Sequence, residues 1–250
     1  MITCRDTCFL LDAGISCRRI ADSLHNINIS LESLTAILIT HTHSDHISGL
    51  QTLLKKTSCP IYATPETCRQ LSYRLAGVER RLCPLECCQS YTVGDISITP
   101  IPTSHDAVGS CGYRLDCADG SVGLCTDTGY VTEEMESFLP NVDLVLLEAN
   151  HDVEMLRSGP YPYYLKQRIL GMEGHLSNDD SARFAVVLAQ HGATQVILSH
   201  LSQENNSPAV AARIVSSALS AAGLSPRVTV APRDRMSEPY QLLRSDLCKK

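Results

Sequence analysis

Apolar and β-branched residues recur along the chain in short runs bounded by turn formers, the pattern of buried strands. Such runs predict strands at Cys8–Asp12, Leu34–Thr40, Ile61–Ala63, Ile96–Thr103, Cys111–Cys117, Ser121–Thr126, Val142–Glu148, Gln195–Ser199 and Arg227–Val230. Between them, apolar positions spaced by three and four predict helices at Ile47–Lys56, Pro65–Ala76, Thr132–Phe138, Pro162–Gly171, Asn178–Gln190 and Pro208–Ala222. Two helices carry clear punctuation. Ser177 precedes Asn178-Asp179-Asp180 as an N-cap with acids in the first turn, and Gly192 follows that helix. Ser207-Pro208 opens the last helix and Gly223 closes it. The first half reads mostly as strands and the second as alternating helix and strand. That predicts an α/β (α+β) architecture, with sheets packed together and helices outside. No repeat, low-complexity tract or linker divides the sequence, so residues 1–250 read as one domain.

Composition narrows the class without choosing a function. At 250 residues, 44% apolar and 19% charged, the chain can bury a full core. No apolar stretch reaches the length of a membrane span, and Met1–Asp6 has neither a basic region nor a cleavage pattern. The expectation is a cytoplasmic protein with no membrane partner. Its twelve cysteines then read as reduced thiols, mostly small buried hydrophobes, and Cys87-Cys88 makes a poor zinc pair. A net charge of −6 gives no global nucleic-acid signature. Basic residues come in small groups: Arg18-Arg19, Lys55-Lys56, Arg80-Arg81, Arg157 with Lys166 and Arg168, and Arg233 with Arg235. Most such groups are solvated faces, but a bound metal adds local positive charge even to an acidic protein.

The chemistry is concentrated in His41-Thr42-His43-Ser44-Asp45-His46, between a predicted strand and a predicted helix. Three imidazoles and a carboxylate at this spacing suit zinc, manganese or iron rather than calcium or magnesium. Four further groups end predicted strands: Asp12, His105, Asp127 and His200. Singly, each is more often a turn former or an ordinary histidine. Together with the histidine-rich loop they supply enough ligands for two metals.

HxHxDH, then a His, an Asp and a His at successive strand ends, all behind an LLDAG strand, resembles the metallo-β-lactamase superfamily. The resemblance implies a four-layer αββα sandwich with a dinuclear metal site at one edge of the sheets. It implies that His41, His43 and His105 hold one metal, that Asp45, His46 and His200 hold the other, and that Asp127 bridges them. Asp12 would orient the ligand loop from behind. LLDAGIS (10–16), SHDAVG (104–109), TDTGYV (126–131), LEANHDVEMLRSGPYP (147–162), GHLSN (174–178) and LSHLSQENNSP (198–208) are similar to the YycJ/WalJ-type branch, close to tRNase Z and RNase J-like nucleases. Gly174-His175-Leu176-Ser177 resembles the catalytic-histidine motif of tRNase Z, and Leu147-Glu148-Ala149 the acid that supports it. One departure is expected. Family members usually begin with an extra strand and a small-residue SGSxGN-type loop ahead of LLDAG, and Met1 lies too close to Asp12 to include them.

Two divalent metals, zinc before manganese or iron, with a shared hydroxide suit attack at phosphorus or at a carbonyl. Asp45 and His46, with no ligating cysteine, tilt the choice towards phosphodiesters. So does His175, an extra histidine that would protonate a departing alkoxide while Glu148 holds it. Asn178, Ser177 and Arg168 are candidates for phosphate oxygens. The substrate implied by the family is DNA, trimmed as by an exonuclease, ahead of RNA. The segment from Asp127 to His200 is taken up by core elements and leaves no room for a β-CASP insertion. Two rival readings are a small-molecule hydrolase of thioesters, lactones or cyclic nucleotides, and a metal-stabilised binding module without turnover. His25 and His191 read as structural or exposed; His151 is open between structure and function.

Overall fold

The computed structural model describes residues 1–242. Among these, the strands fall into a five-stranded and a seven-stranded sheet. The chain divides into two compact units, Met1–Pro100 with Ala107–Cys111, and Ile101–Asp106 with Gly112 onward.

The first unit holds the five-stranded sheet, in sequence order: β1 (Ile2–Cys4), β2 (Thr7–Leu11), β3 (Ala36–Leu38), β4 (Ile61–Ala63) and β5 (Leu82–Pro84). Strands β2 to β5 are parallel, so each link must cross over, and helices make the crossings. They are α1 (Cys17–His25), α2 (Ser44–Ile47) with α3 (Leu50–Leu53), and α4 (Pro65–Arg74). Alternate β-strand residues such as Leu10, Ile37 and Ile61 pack with Ile20, Leu24, Leu50, Leu53 and Leu71 from these helices. A hairpin of β6 (Tyr91–Val93) and β7 (Ile96–Pro102) follows, and the division between the units falls inside β7.

The apolar runs did not predict a strand at Ile2–Cys4. Ile2–Cys4 forms a strand ahead of the LLDAG strand and pairs antiparallel with it, Ile2 opposite Phe9 and Cys4 opposite Thr7. The turn is Arg5-Asp6, with Arg5 at φ 50° in the left-handed region. It lacks the Asn-Gly or Asp-Gly pair that marks such hairpins in a sequence. The first half is also more helical than expected. Helix α1 buries Cys17, Ile20 and Leu24, and Ser16 caps it by accepting from Arg19 N. The helix expected over Ile47–Lys56 is two short ones, broken where Gly49 N donates to Ala13 O at 2.8 Å.

The second unit carries β8 (Cys111–Cys117), β9 (Gly120–Cys125), β10 (Leu144–Glu148), β11 (Gln195–Ser199) and β12 (Arg227–Val230). The β8–β9 pair is an antiparallel hairpin, and β9, β10, β11 and β12 run parallel in that order. The connecting helices are α5 (Glu133–Phe138), α6 (Val153–Ser158), α7 (Tyr163–Leu170), α8 (Asn178–Gln190) and α9 (Pro208–Ala221). Both expected caps form: Ser177 Oγ accepts from Asp180 N at 3.1 Å and Ser207 Oγ from Val210 N at 3.2 Å. Val145, Leu147, Val196 and Leu198 pack against Phe184, Leu188, Val215 and Leu219 to form this unit's core. No helix among the described residues is long and apolar enough to cross a membrane.

Candidate metal-binding clusters

In parallel α/β sheets the loops beyond the carboxyl ends of the strands collect functional groups. Both units follow that rule. The chain leaves β2 through Asp12, β9 through Asp127 and β11 through His200, and all three residues are left-handed, at φ 55°, 60° and 56°. None is glycine, so each conformation costs about 1–2 kcal/mol. Held by its surroundings, this backbone turns the side chain out of the strand direction at the point where the loop begins.

In the first unit, two imidazoles of the histidine loop, His41 and His46, hang on Asp12 and Thr40. Asp12 Oδ1 accepts from Thr40 N at 2.8 Å, and its Oδ2 accepts from Thr40 Oγ1 at 2.9 Å and from His46 Nδ1 at 2.8 Å. The Thr40 hydroxyl, its proton given to Asp12, accepts from His41 Nδ1 at 3.1 Å. His41 and His46 therefore both have Nδ1 occupied and present Nε2. His41 Nε2 lies 3.1 Å from His43 Nδ1. That is close to the roughly 3.3 Å edge of a tetrahedral shell built on zinc–nitrogen bonds of about 2.0–2.1 Å. Asp45 is largely exposed and lies 3.7 Å from His46 Nε2.

The loop is locked to the LLDAG segment. Ala13 N donates to His46 O and Ser48 Oγ to Gly14 O, at 2.8 and 2.6 Å. A Cβ on Gly14 would fall 1.5 Å from Asp45 O, so only glycine allows this approach.

In the second unit, ligand-type atoms of Asp127, Glu148, His175 and His200 all lie within 4.8 Å of one another. Glu148 is fully buried and saturated. Its Oε1 accepts from His175 Nδ1 at 2.8 Å and His200 Nδ1 at 2.9 Å, and its Oε2 from Thr128 N and Leu176 N at 3.1 and 3.3 Å. Burial alone would raise its pKa, but the hydrogen bonds from the two histidines overcome this and hold it well below the usual carboxylate range. With every lone-pair position used, Glu148 orients the rings instead of binding a metal. His105 Nδ1 donates to Gly174 O at 3.2 Å, and its Nε2 lies 3.9 Å from Asp127 Oδ1. Burial pulls the His105 pKa down, against Asp127 and Asp106, which favours the neutral ring a metal ligand needs. His200 Nε2 is 3.3 Å from Asp127 Oδ1. Four imidazoles, His41, His46, His105 and His200, thus have Nδ1 tied to an oxygen and Nε2 beside another ligand-type group, the arrangement expected around metal-ligating histidine.

Thr40 was not among the sequence candidates, and neither was the hold of Glu148 on His200. A hydroxyl residue just before HxHxDH was the available signal for Thr40; nothing local marked the second. Two expected phosphate contacts are corrected. Asn178 is fully buried and exchanges hydrogen bonds with Asn206, and Ser177 is buried as the cap of α8, so neither is free for substrate. Arg168 is half exposed and pairs with Asp106 at 2.5 Å. His25 and His191 are exposed. His151 is 1% exposed, neither ring nitrogen has a hydrogen-bond partner, and burial pushes its pKa down to about 4.

The loops beyond both sheets are dense in His and Asp, the donor set of a divalent-metal site. Residues 7–201 match the family model described as the beta-lactamase superfamily domain. Exodeoxyribonuclease WalJ of Streptococcus pneumoniae serotype 2 is 44% identical over 200 residues, 79% of this chain and 74% of that protein. Exodeoxyribonuclease YycJ of Bacillus anthracis is 33% identical over 215 residues, 86% and 81% of the two chains. Among solved structures, the metallo-beta-lactamase fold protein YhfI of Bacillus subtilis superimposes with a TM-score of 0.70 at 20% identity, covering 92% of this chain and 86% of that one. Human tRNase Z, short form, gives 0.62 at 19% identity over 96% and 91%. The chain belongs to the metallo-β-lactamase superfamily, in its YycJ/WalJ-type branch. That fold implies divalent-metal binding through the His and Asp clusters.

Proposed function

We propose that this chain is a metal-dependent phosphodiesterase acting on nucleic acid, a DNA exonuclease-like enzyme in the cytoplasm. The two units work as one catalytic domain, a reading supported by the single family model that runs across both. His41, His43 and His105 would hold one divalent ion and Asp45, His46 and His200 the second, with Asp127 serving both; zinc would be the first choice for a nitrogen-rich donor set. The observation that carries this reading is the set of four imidazoles whose Nδ1 atoms are tied off by Thr40, Asp12, Gly174 O and Glu148. When bound, the ions polarise the phosphodiester and lower the pKa of water at the site.

The chain's own groups do the rest. Asp45 orients the attacking water or takes its proton. His175 lies outside the ligand set, and Glu148 keeps its Nδ1 protonated and its ring fixed. Its Nε2 is then the nitrogen left to deliver a proton to the departing sugar oxygen. A sugar alkoxide needs that proton, and a nitrophenolate does not.

Purified, metal-loaded protein should therefore trim end-labelled DNA, and His41→Ala should abolish cleavage with loss of bound metal. His175→Ala should keep its metal and lose about 10²- to 10⁴-fold on DNA, with a far smaller loss on a nitrophenyl phosphodiester. Full DNA cleavage by His175→Ala would remove the proton-donor role. No cleavage of single- or double-stranded DNA or RNA, alongside hydrolysis of a thioester or cyclic nucleotide, would replace the nuclease with a small-molecule hydrolase.

A further inference from the structure

From Met155 to Met172 the chain carries no carboxylate, three cations (Arg157, Lys166 and Arg168) and three of its nine tyrosines. The molecule as a whole has net charge −6, so this stretch runs against the background. Its large side chains are also turned outward. Tyr163 is 76% exposed, Tyr164 73% and Met172 66%, and Ile169 is the buried residue of α7. Nothing in the packing of the unit calls for two solvated tyrosines in succession, since exposed rings give a helix no core contact.

The stretch is tied to the histidine cluster of its own unit. Tyr164 and Arg168 are four apart and share a face of α7, and Arg168 pairs with Asp106, next to His105. Met172 O accepts from Ser104 Oγ at 2.8 Å, Ser104 O accepts from Gly129 N at 2.8 Å, and Ile169 O accepts from His175 N at 3.1 Å. Tyr130, 42% exposed, follows Gly129, and its carbonyl accepts from Thr128 Oγ1 at 2.7 Å. Lys166 Nζ donates to Arg157 O at 2.7 Å, which joins α7 to the end of α6.

We propose that α7 and the loop after it form a platform on which unpaired bases of single-stranded DNA stack as the strand approaches His175. Tyr163, Tyr164 and Met172 offer flat or polarizable faces to bases, and Lys166 and Arg168 offer charge to the phosphates between them. Ring stacking is indifferent to base identity, so the platform holds a strand without reading its sequence. This inference rests on the nuclease reading and names the form of substrate that its site receives.

The test is the double variant Tyr163→Ala/Tyr164→Ala of the whole metal-loaded protein. Three readouts are needed: KM for a single-stranded oligonucleotide, affinity for a cleavage-resistant phosphorothioate oligonucleotide by fluorescence anisotropy, and turnover of a nitrophenyl phosphodiester. The expected result is a rise in KM and a loss of affinity of about tenfold or more. Turnover of the small diester should not change, and Tyr163→Phe/Tyr164→Phe should restore strand binding. Wild-type cleavage with unchanged KM and affinity in the alanine variant overturns the platform and leaves the nuclease standing. So does a fall from dimer to monomer in sedimentation with strand binding intact, which makes the surface a contact between copies of this chain. Failure of the wild-type protein on every polynucleotide overturns the nuclease reading, and the platform with it.

Discussion

Glu148 shows how much one buried side chain can settle. It accepts four hydrogen bonds at 0% exposure, two of them from the rings of His175 and His200. An amide in its place has a single oxygen to accept and adds an NH2 that faces other N–H groups. Glu148→Gln should lose about 10- to 100-fold in metal affinity and about 1–3 kcal/mol of stability, read by metal content after dialysis and by urea unfolding. His151 makes a separable prediction. Its ring is buried and held neutral to about pH 4, whereas the unfolded chain takes up that proton near the ordinary histidine value of 6.5. The unfolded state therefore binds more protons between those pH values, and stability falls as pH drops through the window. Above it the residue contributes no pH dependence. Replacement by a residue without a titrating group, His151→Leu, should flatten the unfolding free energy between pH 6.5 and pH 4, where wild type loses up to about 1.4 kcal/mol per pH unit. Equal slopes in the two proteins would show that His151 is already protonated when folded. The ligand-type residues were legible because they stand at strand ends in a fixed order. The groups that aim them were less so. Thr40 and the second hydrogen bond of Glu148 depend on which strands lie side by side, and Glu148 and His200 are 52 positions apart.

At the scale of elements, strands with apolar runs announced themselves, and β4, β8, β11 and β12 have the bounds that those runs predict. The elements that escaped are short or half exposed. Strands β1, β5 and β6 have three residues each with at most one of them buried, so no apolar run marks them. Helix α1 was legible in principle, since Cys17, Ile20 and Leu24 recur at helical spacing behind a serine cap, but Arg18-Arg19 read as a charged patch. The break between α2 and α3 was not legible. It comes from Gly49 turning its N–H to Ala13 O, a contact between two loops. The same pair of loops makes Gly14 the sharpest target among the elements. A methyl group there meets the carbonyl of Asp45, and the loop carrying His41, His43 and His46 has to move away. Gly14→Ala should therefore lower both bound metal and Tm, with a loss of about 1–3 kcal/mol as for an overpacked core. If Tm falls while metal content is kept, the two loops are linked more loosely than their hydrogen bonds indicate.

For the whole molecule, net charge and local charge make opposite forecasts, and salt dependence separates them. A chain at −6 repels a polyanion at long range, so composition gave no sign of a nucleic-acid partner. The proposed platform places the strand contacts at one short stretch, Met155 to Met172, which has three cations and no carboxylate. Each phosphate neutralised on a single strand contributes a slope of about 0.7 in log affinity against log salt, so the two cations of the platform, Lys166 and Arg168, give about 1.4. Between 50 and 200 mM salt, KM for single-stranded DNA should then rise on the order of tenfold. A small neutral-tailed phosphodiester, which reaches the histidines but spans none of the platform, should show a much flatter response. Lys166→Ala should reduce the slope by about 0.7 and leave turnover of the small diester alone. A slope near zero would mean that the strand is held by stacking and by the metals, with the cations only solvated. A slope several times larger would require phosphate contacts from cations outside this stretch, and the pairs Arg18-Arg19 and Lys55-Lys56 would be the next to replace.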